Sequence, residues 1–209
     1  IVCHDPTLDR TTTGKGKIAD LTLDEIRRFS IVDQNGNATN ERIATLKQVL
    51  DLVESYRAKG KNVTLLIEIK HASGQYPGIE KRLVCELRQR GALEWCTAQS
   101  FADSVLFTLH ELCPDLRLEK LMICPLPGLP FIVDGFSISR FSYERYGFVK
   151  SFNCMWQGVN REFVEQAHAH GKEVKLWTFD DMNAAVVDAD GFITDRPDIW
   201  HSARLRFGD

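Results

Sequence analysis

Two hydrophobic periods take turns along this chain, and that exchange limits its fold more than any other feature. Residues 45–57 place Leu46, Val49, Leu50 and Val53 on one helical face behind a Thr45/Gln48 capping box. Residues 63–69 then run as aliphatic and β-branched side chains interrupted by Glu68. The exchange repeats as helix 79–90 closed by Gly91, strand 95–99, helix 102–112 and strand 116–123. A looser stretch rich in Pro and Gly covers 125–135. After it come strand 148–153, helix 161–170 stopped by Gly171, strand 174–178, a short helix near Met182 and a last strand at 191–194.

Strands separated by helices predict right-handed βαβ units and a parallel sheet. Six such strands can be counted, whereas a TIM (β/α)₈ barrel of about 250 residues has eight. The missing two strands and roughly 40 residues fall before Ile1. The expected α/β fold is therefore a TIM barrel lacking about its first two strands. An open doubly wound sheet is the rival, but Thr13-Gly14-Lys15-Gly16 follows no adequate strand and makes a poor dinucleotide loop.

Composition narrows the partners. With 209 residues, 44% hydrophobic and a net charge of −3, the chain reads as one globular domain. It has no apolar run of the roughly 18 residues a membrane span requires. Lys and Arg (26) are balanced by Asp and Glu (29) without a basic block, so no nucleic-acid partner is expected. Six cysteines lack any Cys-x-x-Cys pair and mostly sit in apolar runs, as Cys85 does. They are expected to be buried free thiols, which favours a reducing, cytoplasmic setting. The opening Ile1-Val2-Cys3-His4-Asp5 has no Met and no leader pattern, so any signal peptide would lie upstream of residue 1.

Side chains alternate along a strand, so Leu66, Glu68 and Lys70 share one face and Leu65, Ile67 and Ile69 the other. The apolar face should meet helices. That sends a carboxylate and an ammonium into the barrel at the C-terminal end of a strand, where barrel enzymes keep their chemistry. The same alternation turns Lys175 and Trp177 inward. His4-Asp5 ends an extended stretch and leads into a polar tract, with Thr22 and Glu25 spaced as a capping box. His168 and His170 lie beside a helix stop and suit its C-terminus better than chemistry. His71 falls in a loop near the mouth, and Asp195 and Arg196 follow the last strand.

The string His4-Asp-x-x-Leu-x-Arg-Thr-Thr-x-Gly-x-Gly-x-Ile-x-Asp-Leu-Thr-Leu, then Arg42-Ile43-x-Thr45-Leu46 and Glu68-Ile69-Lys70, resembles the glycerophosphodiester phosphodiesterases. Gln99-Ser100-Phe101, Val174-x-Leu-Trp177-Thr178 and Asp190-Gly191-x-Ile193-Thr194-Asp195-Arg196-Pro197 are similar to later strand ends of that family. The likeness is least from about residue 124 to 147.

The resemblance implies a barrel of the phospholipase C-like phosphodiesterase type spanning 1–209, with a small segment, here 6–40, inserted after its second strand. It implies hydrolysis of glycerophosphodiesters to glycerol 3-phosphate and an alcohol, with one divalent cation, Mg²⁺ or Ca²⁺. By position, His4 resembles the second of two catalytic histidines, Glu68 a metal-binding carboxylate, Lys70 a cation beside the phosphate and Trp177 an aromatic wall of the substrate pocket. The family's opening His-Arg-Gly motif and its paired Glu and Asp have no counterpart, so about half of the site is expected. Two other readings fit the same residues: a lysophospholipase D using the apolar stretch Leu126, Leu129, Pro130, Phe131 and Ile132, and an inactive fragment that binds a phosphate or lipid headgroup through Lys70.

Overall fold

A computed structural model of the chain describes residues 1–70, 76–126, 128–134, 137–180 and 188–199. The expected short helix near Met182, and His71, lie outside the described residues. Near the N-terminus is the short helix α1, Leu23–Ile26. Helix α2, Leu46–Arg57, then leads into strand β1, Leu65–Glu68. Helix α3 (Ile79–Gln89), strand β2 (Cys96–Ser100), helix α4 (Asp103–Leu112) and strand β3 (Arg117–Met122) follow. Three short strands come next: β4 (Cys124–Pro125), β5 (Phe131–Asp134) and β6 (Ser137–Arg140). Strand β7 (Ser151–Met155), helix α5 (Arg161–Ala169), strand β8 (Glu173–Trp177) and strand β9 (Gly191–Phe192) complete the order.

Six strands form one sheet in the order β1-β2-β3-β7-β8-β9. Every neighbouring pair in it is parallel. Strands stay in chain order around this arc, as a barrel requires and a doubly wound sheet forbids, and β1 and β9 form its two edges. The architecture is an incomplete TIM-type barrel. Leu50, Leu83, Leu87, Leu106, Leu109 and Val164 from the helices pack with Leu118, Phe152, Val174 and Leu176 from the strands in its main core. Both Thr45/Gln48 and Thr22/Glu25 form reciprocal capping boxes, which fixes where α1 and α2 begin.

Within the stretch expected to be loose, Pro125 and Phe131–Asp134 instead belong to a three-stranded antiparallel sheet of β4, β5 and β6. Ile132 supplies its buried face, and Lys120 Nζ on β3, fully enclosed, donates to Asp134 Oδ1 at 2.8 Å and so anchors it to the arc. The strand expected at 148–153 begins later, at Ser151, because Phe148 is drawn aside to stack on His110 at 4.7 Å. The cysteines are unpaired, but Cys85 is exposed rather than buried: Leu83, Val84 and Leu87 occupy the packed face of α3 and turn Cys85 outward.

The N-terminal segment has a core of its own, made of Leu8, Ile18, Ile26 and Ile43 with Phe29 and Ile31 against it. It is tied to the barrel where Val2 N–H donates to the Ala44 carbonyl at 2.8 Å, next to the cap of α2.

Candidate active site

Strand β1 delivers Glu68 and Lys70 from one face. Ile69 between them is 4% exposed and buried among the helices, so the charged pair is turned to the opposite side. Lys70 Nζ lies 3.0 Å from Glu68 Oε2. The other carboxylate oxygen, Oε1, is buried and has no hydrogen-bond partner. An orphaned buried carboxylate oxygen is costly unless something positive or protic meets it.

A cavity of about 570 Å³ lies along the free edge of β1. Its lining brings His4 together with Glu68 and Lys70, alongside the start of α2 and the face of α3 that carries Arg82 and Glu86. His4 Nδ1 is 2.8 Å from Asp5 Oδ1. Asp5 is also gripped by Arg10, whose Nε and Nη2 donate to its two oxygens at 2.6 and 2.9 Å. The Arg10 guanidinium, and after it the His4 ring, hold the Asp5 carboxyl far below the usual carboxylate range.

Trp177 is not among the residues lining this cavity. It ends β8, its indole Nε1 donates to the Asn153 carbonyl at 2.9 Å, and its ring meets Phe101 edge to face at 5.8 Å. Phe101 connects it back to the charged pair. The preceding Ser100 donates its hydroxyl to the Ile69 carbonyl at 2.8 Å, between Glu68 and Lys70. The aromatic contact thus joins the C-terminal end of β8 to that of β2, beside β1.

Lys175, turned inward by alternation, meets a polar layer inside the arc whose other members, Glu119, Asn153 and Gln99, the sequence reading does not bring together. Glu119, 1% exposed at its side chain, receives Lys175 Nζ at 2.5 Å and Asn153 Nδ2 at 2.9 Å. Asn153 Nδ2 also donates to Gln99 Oε1 at 2.6 Å. Glu68, Gln99 and Glu119 are register partners across β1, β2 and β3, so the layer continues from the mouth carboxylate into the barrel. A signal was available: alternation along β3 puts Glu119 on the face of Arg117 and Leu121, opposite Leu118 and Met122. The histidines set aside serve locally: His168 Nε2 is 2.8 Å from Asp190 Oδ2, and His170 Nδ1 is 2.8 Å from the Gln166 carbonyl of its own helix. Arg196 pairs with Asp198 at 2.9 Å, and the Asp195 N–H donates to Asp180.

For a divalent cation, Glu68 Oε1 is a fitting donor, since hard cations take carboxylate oxygens and this one has no other partner. Among the described residues no group of three His, Cys, Asp or Glu converges to complete a cage. Nor is any described helix long and apolar enough to cross a membrane.

Residues 1–199 match the model of the glycerophosphoryl diester phosphodiesterase family. A glycerophosphodiester phosphodiesterase of Caldanaerobacter subterraneus subsp. tengcongensis is 30% identical over 206 residues, covering 95% of this chain and 77% of that protein. One from Bacillus subtilis is 26% identical over 223 residues, covering 98% and 71%. Among solved structures, an Oleispira antarctica phosphodiesterase in complex with the product sn-glycerol-3-phosphate superposes with a TM-score of 0.73 at 19% identity, over 96% of this chain and 77% of that one. A glycerophosphodiester phosphodiesterase from Agrobacterium tumefaciens gives 0.69 at 20% identity, over 96% and 79%. The parallel arc in chain order defines the class as an α/β protein of the TIM-barrel type. The chain belongs to the glycerophosphoryl diester phosphodiesterase family.

Proposed function

We propose that the cavity at β1 binds a glycerophosphodiester and hydrolyses it to glycerol 3-phosphate and an alcohol. The observation that carries this is the grouping of His4, Glu68 and Lys70 on one cavity. In the reaction a water oxygen bonds to phosphorus and gives up a proton to solvent, the phosphorus–oxygen bond to the alcohol breaks, and the leaving oxygen takes a proton from His4, which solvent then replaces. Lys70 faces the phosphate charge, His4 supplies the proton, and Trp177 with Phe101 shields the mouth. Glu68 would hold one divalent cation, Mg²⁺ or Ca²⁺, through Oε1. When bound, that cation supplies positive charge beside the phosphate oxygens. The segment 6–40 acts as an insertion that follows His4 directly, and the six unpaired cysteines support a cytoplasmic setting.

A second reading has its own support. Among the described residues His4 is the one histidine on the cavity and Glu68 the one carboxylate of β1 there, a set suited to binding a phosphodiester headgroup without turnover. Glycerol 3-phosphate release from glycerophosphocholine, measured with Mg²⁺, with Ca²⁺ and with a chelator, separates the two. Cation-dependent release is expected. Binding of glycerophosphocholine that Lys70→Ala abolishes, with no release under any condition, would replace hydrolysis by the binding reading.

A further inference from the structure

The pairing of His4 with Asp5 has more architecture around it than two neighbouring side chains need. Asp5 and Arg10 stand on a turn whose centre, Leu8, is completely buried. The backbone is pinned on both sides of that residue. The Leu8 N–H donates to the Gly16 carbonyl at 3.0 Å, the Ile18 N–H to the Pro6 carbonyl at 3.0 Å, and the Thr12 hydroxyl to the Leu8 carbonyl at 2.8 Å. Gly14 passes so close under Phe29 that an added Cβ would lie 2.5 Å from the ring, and Gly16 takes a φ of +101°. The loop therefore presents Asp5 and Arg10 to one another in a fixed relation.

Their contact has the two-pronged geometry of a guanidinium on a carboxylate, the arrangement that gives direction as well as attraction. An exposed ion pair is ordinarily worth little to stability, so a frame this elaborate is poorly explained by stability. What it does hold is the oxygen nearest the imidazole: Asp5 Oδ1 receives both Arg10 Nη2 and His4 Nδ1. An ionised carboxylate can only accept. The ring nitrogen facing it must then carry the proton, which leaves Nε2 as the nitrogen that exchanges one.

We infer that Asp5 and Arg10 are positioning residues for His4: Asp5 fixes the imidazole with Nδ1–H toward itself and Nε2 toward the reacting oxygen, and Arg10 clamps Asp5. The inference rests on the hydrolytic reading above for its consequence in turnover, but the state of the ring can be observed independently.

Two measurements on the whole chain test it. The first is the ¹⁵N spectrum of the His4 ring, assigned by comparison with His4→Gln. The wild type should show the Nδ1–H tautomer, and Asp5→Ala should return the ring to the mixture of a free imidazole. The second is the split between kcat and KM on glycerophosphocholine. Asp5→Ala should lower kcat about 10- to 100-fold with KM within about twofold. Arg10→Ala should lower it about tenfold, with Arg10→Lys recovering only part because it keeps the charge but not the fork. An unchanged tautomer in Asp5→Ala overturns the inference, as does, in an active wild type, a loss confined to KM or to thermal stability. If the wild type releases no glycerol 3-phosphate, the hydrolytic reading fails, while the spectra still decide how the ring is held.

Discussion

Trp177 is fastened to Asn153 through the main chain: the indole Nε1 donates to the Asn153 carbonyl rather than to its side chain. The indole plane is thereby set by the β7–β8 register, in which Met155 faces Trp177. On the proposed reading, in which Trp177 shields the mouth, Trp177→Ala should raise KM for glycerophosphocholine roughly 5- to 30-fold, the worth of one aromatic face. Trp177→Phe, which keeps the apolar face and loses the hydrogen bond, should fall between. Steady-state kinetics checks both. An unchanged KM with a lowered kcat would assign the ring to another role.

Glu68→Gln keeps the shape of the side chain and removes its charge. Cation-dependent turnover should fall by roughly 10²-fold or more, with partial recovery at high Mg²⁺ or Ca²⁺, because a hard cation loses its charged donor. Glycerol 3-phosphate release across a cation titration gives the result. Full activity at ordinary cation concentration would remove Glu68 from the cation site.

Lys120 sits fully enclosed between Asp134 Oδ1 at 2.8 Å and Asp103 Oδ1 at 3.1 Å. Lys120→Ala would leave two carboxylates facing each other with no cation between them. A loss of about 3–5 kcal/mol is expected, as for other buried pairs deprived of one partner, and urea unfolding measures it. The change should loosen the β4–β6 sheet first, since Asp134 is its anchor.

The Asp190 carboxyl is pushed upward by partial burial, but the Val174 N–H at 2.7 Å and the His168 ring at 2.8 Å outweigh this and bring it below its ordinary value. A carboxyl depressed in the folded state contributes stability above its unfolded value, near 4, and loses it as pH falls through the folded value. Asp190→Asn should therefore lower stability at pH 6 and flatten the acid limb of the stability curve. Urea midpoints from pH 3 to 7 would show it; parallel curves for variant and wild type would contradict the assignment.

Periodicity made the arc of strands legible, since each helix from 46 to 169 shows its apolar stripe and a short strand-length segment separates each from the next. The β4–β6 sheet was hidden because Pro and Gly mask the alternation of Phe131 to Asp134, and because its anchor, Lys120, comes from a different strand. At the site, Glu68 and Lys70 could be placed together by alternation alone. His4 could be brought to the same cavity by resemblance but not by physics, because nothing local says where a loop of that length returns. Asp5 and Arg10 were invisible as a pair for the same reason: their meeting depends on the fold of the turn over Leu8. The Glu119 layer could have been found, because an acid at the centre of a barrel strand, two residues from Arg117, calls for a partner.

The N-terminal segment with its four-residue core, Leu8, Ile18, Ile26 and Ile43, and the main core behind β1 are packed as separate bodies. His4 rides on the first, whereas Glu68 and Lys70 belong to the second. A core so small is the part of a protein that opens at the lowest free energy. On warming, amide exchange and proteolytic nicking should therefore begin in residues 6–40 while the strand arc is still closed. His4 would then part from Glu68 and Lys70 well before the far-ultraviolet spectrum reports any melting.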